Sequence, residues 1–121
     1  MKKWCCILFG ICLFVSFNAQ QDYKTIATIE LKELLQKEKI QLVDVRTPKE
    51  TALGSIESAI FINYFDEDFT EKAIKKLDKT KPVYLYCRSG NRSGKASKLL
   101  KDKGFDVTNV LGGYNQWKKE N

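Results

Sequence analysis

A chain of 121 residues is long enough to bury one modest core and too short for two. With 43% apolar and 30% charged residues it has the balance of a globular protein, which excludes a disordered or low-complexity chain. The formal charge of +6 comes from lysines scattered through helical segments, never in a run of five, so it reads as a solubilising surface and nucleic acid is not an expected partner.

The first segment, MKKWCCILFGICLFVSFNAQQ, opens on Lys2 and Lys3, runs apolar from Trp4 to Phe17 and ends in Asn18, Ala19 and Gln20. A basic start, a short apolar run and a small-residue end make a secretory signal peptide over residues 1–20, ahead of a folded domain over 21–121. The apolar run is shorter than the ~20 residues that span a bilayer, so an uncleaved anchor is the lesser alternative. Ile11 is too large to precede Cys12 in a lipoprotein signal. An exported protein is therefore expected, periplasmic in a Gram-negative cell and secreted otherwise, with no stable membrane insertion after cleavage. Of four cysteines, Cys5, Cys6 and Cys12 leave with this segment. Cys87 remains as a lone thiol that can form no internal disulfide.

The rest of the chain alternates between two periods. Ile29, Leu31, Leu34 and Leu35 suit one face of a short helix starting near Ala27 or Thr28. IQLVDV (40–45) is a β-rich run, and Pro48 opens a helical turn after it. AIFI (59–62) is a second short strand. Asp68 and Glu71 have capping-box spacing for a helix carrying Ala73, Ile74 and Leu77. VYLYC (83–87) is the third strand, and Ser93 to Lys103 reads as a helix with Ala96, Leu99 and Leu100 inward, stopped by Gly104. VTNVL (107–111) is a last strand, and Gly112–Gly113 turn the chain into a terminal helix around Trp117. Strands separated by helices predict an α/β fold, a central parallel β-sheet with helices on both faces.

In such a sheet, ligands bind at the carboxyl ends of the strands. Cys87 stands at that end of VYLYC, followed by RSGNRS, with a helix expected about six residues on. The backbone N–H groups of Arg88 to Ser93 can curl around the sulfur, and the helix N-terminus adds its positive dipole. Gly90 allows the tight turn; Ser89, Asn91 and Ser93 offer side-chain hydrogen bonds; Arg88 and Arg92 attract an anion. Each feature favours thiolate, the nucleophilic form. The chain has no histidine, so activation has to come from this loop, and neither a Cys–His pair nor a metal site can form.

These pieces resemble a single-domain rhodanese, a sulfurtransferase that carries sulfane sulfur as a cysteine persulfide. The matching stretches are LVDVRTPKE (42–50), GSIESAIFI (54–62), VYLYCRSGNRSGKA (83–96) and GFDVTNVLGGYNQW (104–117). The resemblance implies that Cys87 carries the persulfide, that Arg88, Ser89, Gly90, Asn91, Arg92 and Ser93 form the substrate loop, and that Asp44 and Arg46 give structural support. It implies a small anionic sulfur donor such as thiosulfate, a small-molecule or protein thiol acceptor, and no cofactor. The chain departs from the family pattern where glycine–histidine–isoleucine and proline–glycine–alanine are usual: it has Gly54–Ser55–Ile56 and Glu57–Ser58–Ala59. Thr51 also replaces a common aromatic. Two alternatives stand beside the enzyme. A non-enzymatic rhodanese-like binding module would typically lose the cysteine, which is present. A cysteine phosphatase places arginine six positions after the cysteine, whereas Arg92 is five positions after and Ser93 takes the sixth.

Overall fold

The computed structural model describes residues 23–121; the signal-peptide reading lies outside the described residues. Five strands, β1 (Lys24–Ile26), β2 (Gln41–Asp44), β3 (Ile60–Phe61), β4 (Val83–Tyr86) and β5 (Val107–Val110), form one sheet in the order β1-β5-β4-β2-β3. All four pairings are parallel. Five helices connect or flank them: α1 (Thr28–Lys37), α2 (Pro48–Thr51), α3 (Phe69–Lys76), α4 (Asn91–Asp102) and α5 (Gly113–Glu120). The parallel α/β architecture expected from the alternating periods is the one observed.

Strand alternation divides the core in two. Val43, Val83, Leu85 and Val107 face one side and pack with Phe69 and Ala73 of α3 and Ala96 and Leu100 of α4. Leu42, Tyr86 and Val110 face the other, against Leu31 of α1 and Trp117 of α5. Each strand residue belongs to one layer or the other because successive side chains leave a strand on opposite faces. The central strands β2, β4 and β5 are buried on both faces, so their hydrophobic runs are near-continuous.

Several local expectations are corrected. The edge strand β1 lies outside the runs expected as strands, because KTI is short and largely exposed; its pairing with Thr108, Asn109 and Val110 makes it a strand. Ile29 and Leu99, expected inward, face solvent, as does Ile74. On α1 the buried positions are Thr28 and Leu31, and on α4 they include Ser93, Gly94 and Ser97. Close packing against the sheet thus selects small residues over Leu99. Asp68 is the N-cap of α3, but its carboxylate makes no capping bond and instead lies 3.4 Å from Lys72 one turn on. Ser58, which stands where the family pattern has glycine, adopts φ 73°. That conformation costs a residue with a Cβ about 1–2 kcal/mol, so the departure carries a local strain.

Candidate active site

The strand order brings the site together. After β2 the chain steps outward to β3, and after β4 it steps the other way to β5, so β2 and β4 flank the point where the winding reverses. A crevice opens at the carboxyl ends of the strands at such a point. Cys87 follows β4 directly, while Asp44, Arg46 and the α2 turn follow β2.

Only Arg88 to Gly90 separate Cys87 from α4, which begins at Asn91 rather than at Ser93 as expected. Gly90 is the residue before the helix and has φ 111°, a conformation that L side chains rarely adopt. This turn folds the first helical N–H groups back over the sulfur. Gly90 N–H donates to Cys87 Sγ at 3.1 Å, and the Ser93 hydroxyl lies 3.4 Å from it. Cys87 is almost fully buried. Burial pushes its thiol pKa up, but the Ser93 hydroxyl and the N–H groups of Ser93, Gly90 and Ser89 outweigh it, so the thiol titrates below its ordinary value. The single Ser93 hydroxyl proton has a second acceptor in reach, Asn109 Oδ1 at 2.6 Å, so it is divided between that oxygen and the sulfur, and Asn109 Nδ2 donates to the Gly90 carbonyl at 3.2 Å. Asn109 on β5 thus braces both ends of the loop, a role its position inside a hydrophobic run did not advertise.

The loop is also held from below. Tyr114 and Asn115, in the first turn of α5, donate their N–H groups to the carbonyls of Cys87 and Arg88 at 2.8 and 3.0 Å. The approach is so close that a Cβ on Gly113 would lie 2.5 Å from the Cys87 carbonyl oxygen and 2.7 Å from Arg88 backbone atoms. The second glycine of the pair is therefore a packing requirement of the cysteine loop, beyond its φ of 54°.

The residues singled out in the sequence divide as follows. Cys87, Gly90 and Ser93 meet at the sulfur, and Ser89 contributes through its backbone. The Ser89 and Asn91 side chains, expected to hydrogen-bond there, are exposed on the loop surface. Arg88 is exposed at the mouth. Arg92, expected to face an anion, is instead held in a two-pronged bond by Glu50, with both N···O distances 2.8 Å. The Phe65 ring covers the guanidinium at 5.5 Å. Glu50 lies inside the LVDVRTPKE stretch and is not among the site residues the family resemblance implies. Its spacing after Thr47 was the available signal, since Thr47 and Glu50 form the capping box of α2. Arg92 and the Thr47 bonds hold the Glu50 carboxyl at about 2 against the pull of burial. The stability this depression contributes is present above about pH 4.5 and fades as pH falls towards about 2.

Asp44 and Arg46 form a buried pair. The Asp44 carboxylate accepts Arg46 Nε at 2.9 Å, Arg46 Nη2 at 2.7 Å and the Arg46 backbone N–H at 3.0 Å. Arg46 also donates to the Gly54 carbonyl at 2.8 Å and lies over the Tyr114 ring at 4.3 Å. Tyr86 accepts the Ile56 N–H at 3.0 Å. Burial and the neighbouring Asp44 carboxylate both drive its hydroxyl pKa up, so it stays protonated. These groups tie the loop after β2 to the floor beneath Cys87 without touching the sulfur. Among the described residues, no group of three or more histidines, cysteines or acids could hold a metal, and no helix is long and apolar enough to cross a membrane.

An enclosed thiol of lowered pKa at the carboxyl end of a parallel sheet, cradled by N–H groups of a tight strand-to-helix turn, defines a class of α/β proteins suited to nucleophilic sulfur chemistry. The rhodanese-like domain model matches residues 27–120, and the chain belongs to the rhodanese-like family. It is 40% identical over 100 residues to YtwF of Bacillus subtilis, provisionally named a sulfurtransferase, covering 82% of this chain and 94% of that one. It is 34% identical over 98 residues to the thiosulfate sulfurtransferase GlpE of Coxiella burnetii, covering 79% and 88%. The crystal structure of a rhodanese-like domain protein from Staphylococcus aureus superposes with a TM-score of 0.71 at 39% identity, covering 78% of this chain and 90% of that one. At the level of the family this supports a rhodanese-type enzyme.

The contribution of Ser93 can be measured. Ser93→Ala removes a hydroxyl whose one proton is divided between the sulfur and Asn109; a full bond to a charged group is worth about 1.5–3 kcal/mol, so the rise is at most about one to two pH units at 1.36 kcal/mol per unit. The rate of Cys87 alkylation by iodoacetamide should rise through an inflection below ~8.5 in the wild type and at higher pH in the variant. Coincident profiles would show that the hydroxyl does not serve the sulfur.

Proposed function

We propose that the protein is a sulfurtransferase that moves sulfane sulfur from an anionic donor of the thiosulfate type to a thiophilic acceptor through a Cys87 persulfide. In the first half-reaction the Cys87 thiolate bonds to the outer sulfur of the donor. The donor's S–S bond breaks, and sulfite leaves with its electron pair. In the second, cyanide or a small or protein thiol takes the outer sulfur and the Cys87 thiolate returns. Neither half needs a cofactor. The observation that carries this reading is the cradle itself: N–H groups and a hydroxyl converge on Sγ, where they can stabilise first the thiolate and then the persulfide anion.

The loop favours this over phosphate-ester hydrolysis. A phosphoryl group needs a wider ring of donors and an acid to protonate its leaving group. Here α4 starts four residues after Cys87, and the neighbouring carboxylates are committed, Glu50 to Arg92 and Asp44 to Arg46. The persulfide is tested by intact mass. Thiosulfate should add the mass of one sulfur atom and cyanide should remove it; a wild-type protein that never gains the atom yet cleaves an aryl phosphate is not a sulfurtransferase.

We also propose, on separate grounds, that the mature protein lies outside the cytoplasm, a reading supported by Lys2–Lys3 ahead of a short apolar run. N-terminal sequencing from the native host should find a start near Gln20 or Gln21. An intact Met1 on cytoplasmic material would contradict export.

A further inference from the structure

Arg92 is the loop cation best placed to recognise a donor anion, yet its charge is already spent. Nη1 and Nη2 each donate to a different oxygen of Glu50 at 2.8 Å, and the Phe65 ring lies against the guanidinium. Glu50 cannot swing away cheaply. Its Oε1 also accepts the Thr47 N–H and hydroxyl, both at 3.0 Å, as part of the cap of α2. The pair is less than a third exposed, with side-chain accessibilities of 19% and 28%. The mouth of the cradle therefore presents the Cys87 thiolate, the exposed Arg88 and a pair of zero net charge. A dianion approaching the thiolate meets one uncompensated loop cation, Arg88. For a monoanion both the attraction to Arg88 and the repulsion from the thiolate halve, so with Arg92 neutralised a second negative charge gains a donor little, whereas an apolar body gains contact with Phe65, which is 64% exposed.

We propose that Glu50, by holding Arg92, is a specificity-determining residue that directs the site towards singly charged organic sulfane donors with an apolar body, in preference to thiosulfate. This rests on the sulfur-transfer reading and specifies its donor. For an organic thiosulfonate the step balances without a proton. The Cys87 thiolate bonds to the terminal sulfur of R–SO2–S−, the donor's S–S bond breaks, and the sulfinate R–SO2− departs with the electron pair, leaving Cys87–S–S−.

The test compares kcat/KM for thiosulfate and for benzenethiosulfonate, with cyanide as acceptor, in the wild type, Glu50→Gln and the double variant Glu50→Gln/Arg92→Gln. The two donors undergo the same chemistry and differ by one charge and an aromatic body. The wild type should prefer benzenethiosulfonate. Glu50→Gln, which retains a carbonyl oxygen for the Thr47 bonds, leaves Arg92 uncompensated. It should raise thiosulfate kcat/KM and lower the thiosulfonate-to-thiosulfate ratio about tenfold, the order expected for one further pair of unit charges across a partly wetted site. The ratio in the double variant, again of zero net charge, should return towards the wild-type value. A loss of local order alone would not reverse in that way. A wild type that prefers thiosulfate, or a ratio unmoved by Glu50→Gln, overturns the assignment while leaving sulfur transfer intact. A wild type that accepts sulfur from neither donor overturns the sulfur-transfer reading, and this one with it.

Discussion

Cys87→Ser should reduce sulfur transfer to the uncatalysed background, a loss on the order of 10⁴-fold or more, with no gain of a sulfur atom under thiosulfate. The expectation follows from what the cradle stabilises. The N–H groups of Ser89, Gly90 and Ser93 lower a thiol that burial alone would raise. A serine hydroxyl in the same cradle stays protonated near neutral pH and cannot form a persulfide. The fold should tolerate the change, because the loop is held by bonds that do not involve the sulfur: Asn109 to the Gly90 carbonyl, and the α5 amides to the Cys87 and Arg88 carbonyls. Thermal melts of the two proteins should therefore lie close together while their activities differ by orders of magnitude. Residual transfer within tenfold of wild type would show that another group carries the sulfur, and no other cysteine is present in the described residues.

Asp44→Ala should cost about 3–5 kcal/mol of stability, the range for removing one partner of a buried ion pair. Against a total of about 5–15 kcal/mol for a small domain this is a large fraction, and for a chain of this size it lowers Tm by roughly 4–8 °C per kcal/mol. The cost arises because Asp44 is wholly buried and accepts bonds from the Arg46 side chain and backbone, so its loss strands a buried guanidinium. The Gly54 carbonyl and the Tyr114 face remain to Arg46, but neither is a counter-charge. The double variant Asp44→Ala/Arg46→Met removes the stranded charge and should melt above the single variant, though below wild type, since Tyr86 also loses a partner. Chemical denaturation of all three decides the point. A single variant within about 1 kcal/mol of wild type, or a double variant less stable than the single, would show that the pair is not what holds this end of β2.

Much of the architecture was legible because it depends on local pattern. The short apolar, β-rich runs around Leu42, Ile60, Leu85 and Val107 and the Gly104 stop report their own secondary structure, and four of the five strands lie where those runs predict them. β1 was hidden because three largely exposed residues carry no period; only pairing with β5 makes them a strand. The inward assignments of Ile29 and Leu99 failed for a related reason. Hydrophobicity says a residue can be buried, while the angle at which a helix meets the sheet decides which residues are. The cysteine loop was legible as chemistry, since a strand delivering Cys87 into RSGNRS states its nucleophile and its turn residue.

The partners of that chemistry were not legible, because they are distant in the chain. Glu50 reaches Arg92 across 42 positions, and Asn109 reaches Ser93 across 16. Nothing in either local stretch announces the meeting. Sequence alone determined a loop thiol, a parallel α/β domain and the residue types available for activation. Tertiary structure decided which of those residues reach the sulfur and which cancel one another. Hydrogen bonds and charges act over a few ångströms of space, and the pairing of β4 with β2 on one side and β5 on the other, not the order of residues, sets those distances.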